Sequence, residues 1–255
     1  MANSLNYYHW WFWIYFIRAC GLPFQLYPVK LPLNQVNILS EAAEKNDIVI
    51  VFNAGGWGEA ALSEAVDFST ILEGIQRTLN RLGHRAVIVP YNRVPPGLSG
   101  KIISTKEQLN SFKRTAPMQT AEIRTLAAKF PHKRFLVLGF SVGGGLTGQA
   151  LKVLDEIHNI YGITVGTPGW YPTHCSEKSL VLNNGDRDPV SIGDVNTIAR
   201  CVFKCPVIWL QAKIKRQKLS LPLALQFPNH DYIWTSEEVG PAIVKFLEKH
   251  FTILP

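Results

Sequence analysis

Apolar positions in this chain fall into short unbroken runs, separated by stretches in which they recur at helical spacing. Ile48-Val49-Ile50-Val51-Phe52 is continuous, as expected of a strand covered on both faces. Phe135-Leu136-Val137-Leu138 repeats the pattern, and runs at 86–89, 161–165, 180–182 and 206–210 predict further strands. Between the first two strand runs, Ile71, Ile75, Leu79 and Leu82 share one helical face, and Gly83 stands where that helix should stop. A helix over 120–129 precedes the Phe135 run, and Leu151 and Leu154 continue one that follows it. The last helix spans 241–250, with Ile243, Phe246, Leu247 and His250 or Phe251 on one side. Residues 95–118 read as turn-rich and basic. Strands alternating with helices predict an α/β fold, with a mostly parallel central sheet and helices on both faces. Ligands then belong at the carboxyl ends of the strands. The interval between Val165 and Leu180 has room for a short loop, so no large cap domain is expected there.

The stretch 7–17, YYHWWFWIYFI, departs from this pattern. It is shorter than the roughly 20 apolar residues a spanning helix needs. Its basic residue, Arg18, follows the apolar run, and no small-residue cleavage pattern comes after it, so it does not read as a secretion signal. Trp and Tyr favour the membrane interface, which makes a monotopic anchor one expectation and a lid folded onto the body the other. Residues 1–33 are therefore read as an aromatic N-terminal segment with an irregular connection, and 34–255 as one domain. The location expected is cytoplasmic, peripheral at a membrane through that segment.

Candidate chemistry sits where predicted strands end. The Phe135 run breaks into Gly139-Phe140-Ser141-Val142-Gly143, a serine on a sharp strand-to-helix turn. Gly139 and Gly143 remove the side chains that would keep strand and helix apart, and the hydroxyl is pushed outward. Asn184-Gly185-Asp186-Arg187-Asp188-Pro189-Val190 follows the 180–182 strand, and Pro228-Asn229-His230-Asp231-Tyr232 precedes the last helix. A serine hydroxyl near pH 7 needs a base to take its proton, and an imidazole needs a carboxylate to fix its tautomer. The order Ser, Asp, His meets both needs. Among the other histidines, His174 is the one rival, because its loop also follows a strand.

On the elbow Gly139–Gly143, the turn Gly185–Asp188 and His230 ahead of the last helix, the chain resembles the α/β-hydrolase superfamily over residues 47–255. The resemblance implies Ser141 as nucleophile, Asp188 as orienting acid with Asp186 as the alternative, and His230 as general base. It also implies oxyanion donors from the backbone of Val142 and of Gly56 or Trp57, and no cofactor. Family members often carry His-Gly at that early loop, whereas this chain has Asn53-Ala54-Gly55-Gly56. The activity implied is that of a carboxylic-ester hydrolase, esterase- or lipase-like, acting through an acyl-enzyme on a small-molecule or lipid ester. Thioester hydrolysis or acyl transfer would use the same parts.

Two other readings stand beside it. Gly56-Trp57-Gly58-Glu59-Ala60-Ala61 approximates a dinucleotide fingerprint, and Arg93 at the end of the next strand could suit a phosphorylated cofactor, NADP. The chain could also be a catalytically inactive, membrane-associated scaffold of the same fold. The net charge of +7 favours anionic surfaces, and Lys213, Lys215, Arg216 and Lys218 form a basic cluster that could meet acidic lipid. No nucleic-acid motif accompanies the charge, and no His, Cys and carboxylate spacing suggests a metal. Cys20, Cys175, Cys201 and Cys205 lack paired spacing and read as small buried hydrophobes, the last two flanking the 206–210 strand.

Overall fold

The computed structural model describes residues 35–58, 66–217, 224–225 and 227–252, with residues 66, 67 and 186 described by backbone alone. The aromatic stretch 7–17, Cys20 and Lys218 lie outside the described residues.

Five strands form one parallel sheet: β1 (Ile48–Asn53), β2 (Ala86–Pro90), β3 (Arg134–Phe140), β4 (Ile160–Val165) and β5 (Ser179–Leu182), in the order β2-β1-β3-β4-β5. Burial follows position in the sheet. Every residue of β1 is buried, β3 is buried beyond Arg134, and edge strand β5 is half-buried throughout. Continuous apolar runs form central parallel strands because both faces are covered.

Alternate residues of β1 and β3 feed two cores. Ile48, Ile50, Phe52, Leu136, Leu138 and Phe140 pack with α2 (Val66–Arg81), through Ile71, Ile75 and Leu79, and with α8 (Gly240–Phe251), through Ile243, Leu247 and Phe251. Val49, Val51, Phe135 and Val137 pack on the other face, against α1 (Gln35–Lys45), α4 (Thr115–Lys129) and α5 (Val142–Leu154).

Two stretches differ from the expectation. Residues 95–118 hold the helix α3 (Leu98–Leu109) and the start of α4 rather than turns alone. The face that α3 buries consists of Gly100 and Ser104, so it leaves no apolar periodicity to read. Residues 206–210 are not a strand. They lie inside α7 (Val195–Ile214), which begins after the short helix α6 (Pro189–Ile192) and carries Pro206 in its interior. A five-residue apolar run has no periodicity of its own, and its neighbours at helical spacing decide the outcome. Cys201 and Cys205 accordingly sit on a helix. Cys205 is buried, Cys201 is half-buried, and Cys175 is exposed.

A buried polar knot ties β1 to the helices under the β3–α5 turn. Asn53 donates from Nδ2 to Thr147 Oγ1 at 2.8 Å and to Gln119 Oε1 at 3.2 Å, and Gln119 Nε2 donates back to Asn53 Oδ1 at 2.8 Å. Backbones meet there as well. A Cβ on Gly143 would lie 2.1 Å from the Asn53 carbonyl oxygen, and one on Gly139 would lie 2.5 Å from that of Gly143. Gly143→Ala is therefore expected to lower unfolding stability by about 3 kcal/mol, since a backbone cannot step aside as a flexible side chain can. Urea unfolding measures this, and an unchanged midpoint would contradict so close a contact.

Candidate active site

Ser141 lies between the last residue of β3 and the first of α5, at φ 49°, ψ −121°. This conformation is strained for a residue with a side chain. Its amide donates to the Val165 carbonyl at 2.8 Å, which holds the turn against the end of β4. Serine at a helix N-cap ordinarily turns its hydroxyl back onto the first turn. Here Ser141 makes no such bond, and its Oγ stands 3.2 Å from His230 Nε2.

His230 reaches the serine from a loop 89 residues further on. That loop is fastened to the one after β5 by two asparagines. Asn184 Nδ2 donates to the Asn229 carbonyl at 2.8 Å, and Asn229 Nδ2 donates to the Arg187 carbonyl at 3.0 Å. The imidazole lies edge-on to Phe227 and Tyr232.

Asp188 completes the line and is wholly buried. Its Oδ2 lies 2.8 Å from His230 Nδ1 and also accepts from Tyr232 Oη at 2.7 Å and Ser191 Oγ at 2.6 Å. Its Oδ1 accepts from the Val190 amide at 2.9 Å, capping α6. Burial by itself would raise this carboxyl, but the donors from His230, Ser191 and Tyr232 prevail and hold it at about 2. An ionised carboxylate only accepts, so the Nδ1 facing it carries the proton and Nε2 presents its lone pair to Ser141.

The structure thus brings Ser141, Asp188 and His230 together. It pairs His174 instead with Asp155, at 3.4 Å. Asp186 falls in the 3₁₀ turn Gly185–Arg187, and its side chain is outside the described residues. Tyr232, Ser191 and the two asparagines escaped the sequence reading. Asp188-Pro189-Val190-Ser191 does carry a legible signal, an acid at a helix N-cap with Pro in the first turn and a hydroxyl three residues on.

The loop after β1 is shaped by a residue also overlooked in this role. Arg93 is buried, and its guanidinium donates from Nη1 to the Ala54 carbonyl at 3.1 Å and from Nη2 to the Gly56 carbonyl at 2.7 Å. Gln108 Nε2 adds a bond to Gly56 at 2.9 Å, and the Phe112 ring lies under the guanidinium. Burial lowers Arg93 to about 10, so it remains a cation at neutral pH. In a trans peptide the N–H points opposite to the C=O. The amides of Gly55 and Trp57 therefore face away from Arg93. Gly55 lies against Ser141, where a Cβ on it would be 3.4 Å from Ser141 Cβ. Val142 opens α5, so its N–H is one of those left without an intrahelical acceptor. Arg93, expected from the sequence to suit a cofactor phosphate, is engaged with these carbonyls, and Gly58 leaves it space, since a Cβ there would fall 2.1 Å from Arg93 Nε. Residues 59–61 of the dinucleotide-like pattern lie outside the described residues. Among the described residues no His, Cys, Asp and Glu group is disposed to hold a metal ion.

No family model and no curated protein matches the chain. Among solved structures it is similar to the Trichoderma reesei cutinase in complex with a C11Y4 phosphonate inhibitor, at 13% identity and TM-score 0.41, over 63% of this chain and 78% of that one. A likeness so distant says nothing about chemistry. The parallel α/β sheet, with Ser141, Asp188 and His230 at the carboxyl ends of its strands or in loops beside them, agrees with the α/β-hydrolase resemblance drawn from the residues.

The depressed carboxyl gives stability a direction with pH. Asp188 titrates near 2 when folded and near about 3.9 when unfolded, so its contribution is complete above the unfolded value and is lost as pH falls through the folded one. The stability gap between the native chain and Asp188→Asn is expected to shrink by about 2 kcal/mol between pH 6 and pH 2. Urea unfolding across that range tests it, and a gap that does not change with pH would contradict the assignment.

Proposed function

We propose that this chain is a serine hydrolase that cleaves a carboxylic ester through an acyl-enzyme. One observation carries the reading: a continuous hydrogen-bonded line from Asp188 through His230 to Ser141, whose ends come from separate loops. His230 Nε2 takes the hydroxyl proton as Ser141 Oγ attacks the ester carbonyl carbon, and the carbonyl π pair moves onto oxygen. Asp188 stabilises the resulting imidazolium without taking its proton. The backbone N–H of Val142, with that of Gly56 or Trp57, is assigned to the oxyanion. Collapse expels the alcohol, protonated by His230, and leaves the acyl group on Ser141. Water, deprotonated by the same imidazole, then releases the acid and restores the serine. No cofactor enters this sequence. We assign an acyl or lipid ester as substrate, on the aromatic segment 7–17 and the basic cluster Lys213, Lys215, Arg216 and Lys218 of the sequence. The inactive-scaffold reading has no observation in its favour, because each triad position holds a competent side chain in bonding geometry.

Fluorophosphonate labelling followed by peptide mapping tests the reading directly. The adduct is expected on Ser141, absent in Ser141→Ala and slowed at least about a thousandfold in His230→Ala. Folded native protein that resists the probe would overturn the proposal. Arg93→Met, which releases the Ala54 carbonyl and loosens the loop beside the nucleophile, is expected to slow labelling about a hundredfold with Ser141 and His230 intact. An unchanged rate would remove the loop from the oxyanion assignment.

A further inference from the structure

Helix α7 leaves a stripe of large apolar side chains exposed. It runs for 20 residues, and only Cys205 and Ala212 on it are buried. At 3.6 residues per turn, Phe203, Val207, Leu210 and Ile214 fall within an arc of about 60°, on the side opposite those two. Their exposures are 73%, 55%, 54% and 74%. The stripe is about 16 Å long at the helical rise. Exposed Lys204 and Gln211 flank it on one side, and Pro206 and Lys213 on the other. The Lys213 ammonium sits 4.6 Å from the centre of the Trp209 ring. Lys215 and Arg216 follow at the helix end, also exposed. Between Asp194 and Asp231 the sequence holds no acidic residue. Among the described residues no helix is long and apolar enough to cross a membrane.

A helix that served the core alone would keep its large apolar residues inward, whereas this one buries Cys205 and Ala212, half-buries Ile198, Val202 and Trp209, and leaves Phe203, Val207, Leu210 and Ile214 exposed. From this arrangement we infer that α7 is an interfacial helix that docks the protein on anionic phospholipid. The apolar stripe enters the acyl boundary, and the lysines and arginine on its flanks and end meet lipid phosphates. A second copy of the chain is the poorer occupant. Packing two α7 stripes together would set Lys204, Lys213, Lys215 and Arg216 of one helix near the same cations of the other, with no acidic residue on either helix to offset them. The inference goes beyond the proposed hydrolysis and does not depend on it. It does have a bearing on it, because α7 is joined to Asp188 by α6, Gly193 and Asp194 alone.

Vesicle co-flotation of the full chain tests the inference. The probes are phosphatidylcholine vesicles and vesicles with about a third phosphatidylglycerol. Binding to the anionic vesicles is expected to exceed binding to the neutral ones at least tenfold and to weaken in high salt. The double variant Phe203→Ser, Leu210→Ser is expected to lose at least tenfold in binding, as is Lys213→Glu, Lys215→Glu. Both alter exposed positions, so thermal unfolding should be unchanged, which separates lost docking from lost fold. Three outcomes would overturn the inference. Undiminished vesicle binding by the serine variant would place docking elsewhere, for instance at residues 7–17. A concentration-dependent dimer abolished by that variant would make the face a self-contact. Failure of the native chain to bind anionic vesicles would leave it no lipid role.

Discussion

The backbone of Ser141 is the constraint on which the site depends. Left-handed φ at a residue with a side chain costs on the order of 1–3 kcal/mol and persists only where its surroundings over-determine it. Here the surroundings are the central strands. The Ser141 amide is held by Val165 on β4, and α5 is pressed onto β1 so closely that the Asn53 carbonyl occupies the space of a Gly143 side chain. The Asn53, Gln119 and Thr147 knot locks the same corner with buried bonds that water cannot replace. Because the turn leaves the hydroxyl without a capping duty, the strain is what makes the oxygen available.

Parallel topology supplies the rest of the assembly. Strands that all run one way bring their carboxyl ends to one edge of the sheet, so loops far apart in sequence share one rim. Asp188 gathers them. Its carboxylate accepts from the loop that bears His230, from Tyr232 beyond it and from two residues of its own helix. The side chain that orients the imidazole is thus also the node that fixes the loops to each other.

Much of this was legible in the residues, and the exceptions share a cause. Runs such as 48–52 and 135–138 announce themselves because burial on both faces leaves no polar position. The elbow and the order Ser, Asp, His were readable because turn chemistry is local. Residues 206–210 misled because five consecutive apolar residues fit a buried strand or a full turn of helix equally well, and here Val207 and Leu210 of that turn are exposed. Helix α3 was hidden because glycine and serine occupy its buried face. The structural task of Arg93 could not be read because its partners are backbone carbonyls, and every residue has one. Tyr232 and Ser191 needed the fold to bring them to Asp188.

The grip of Arg93 on the β1 loop has an electrical side. A guanidinium that stays protonated at neutral pH draws electron density toward the two carbonyl oxygens it holds. Each of those peptide groups is conjugated, so the pull passes along the amide and leaves the hydrogens of Gly55 and Trp57 more positive. At buried Ala54 this polarisation is little screened by salt. The cation sits behind the loop as a fixed voltage on the two peptide groups whose carbonyls it holds.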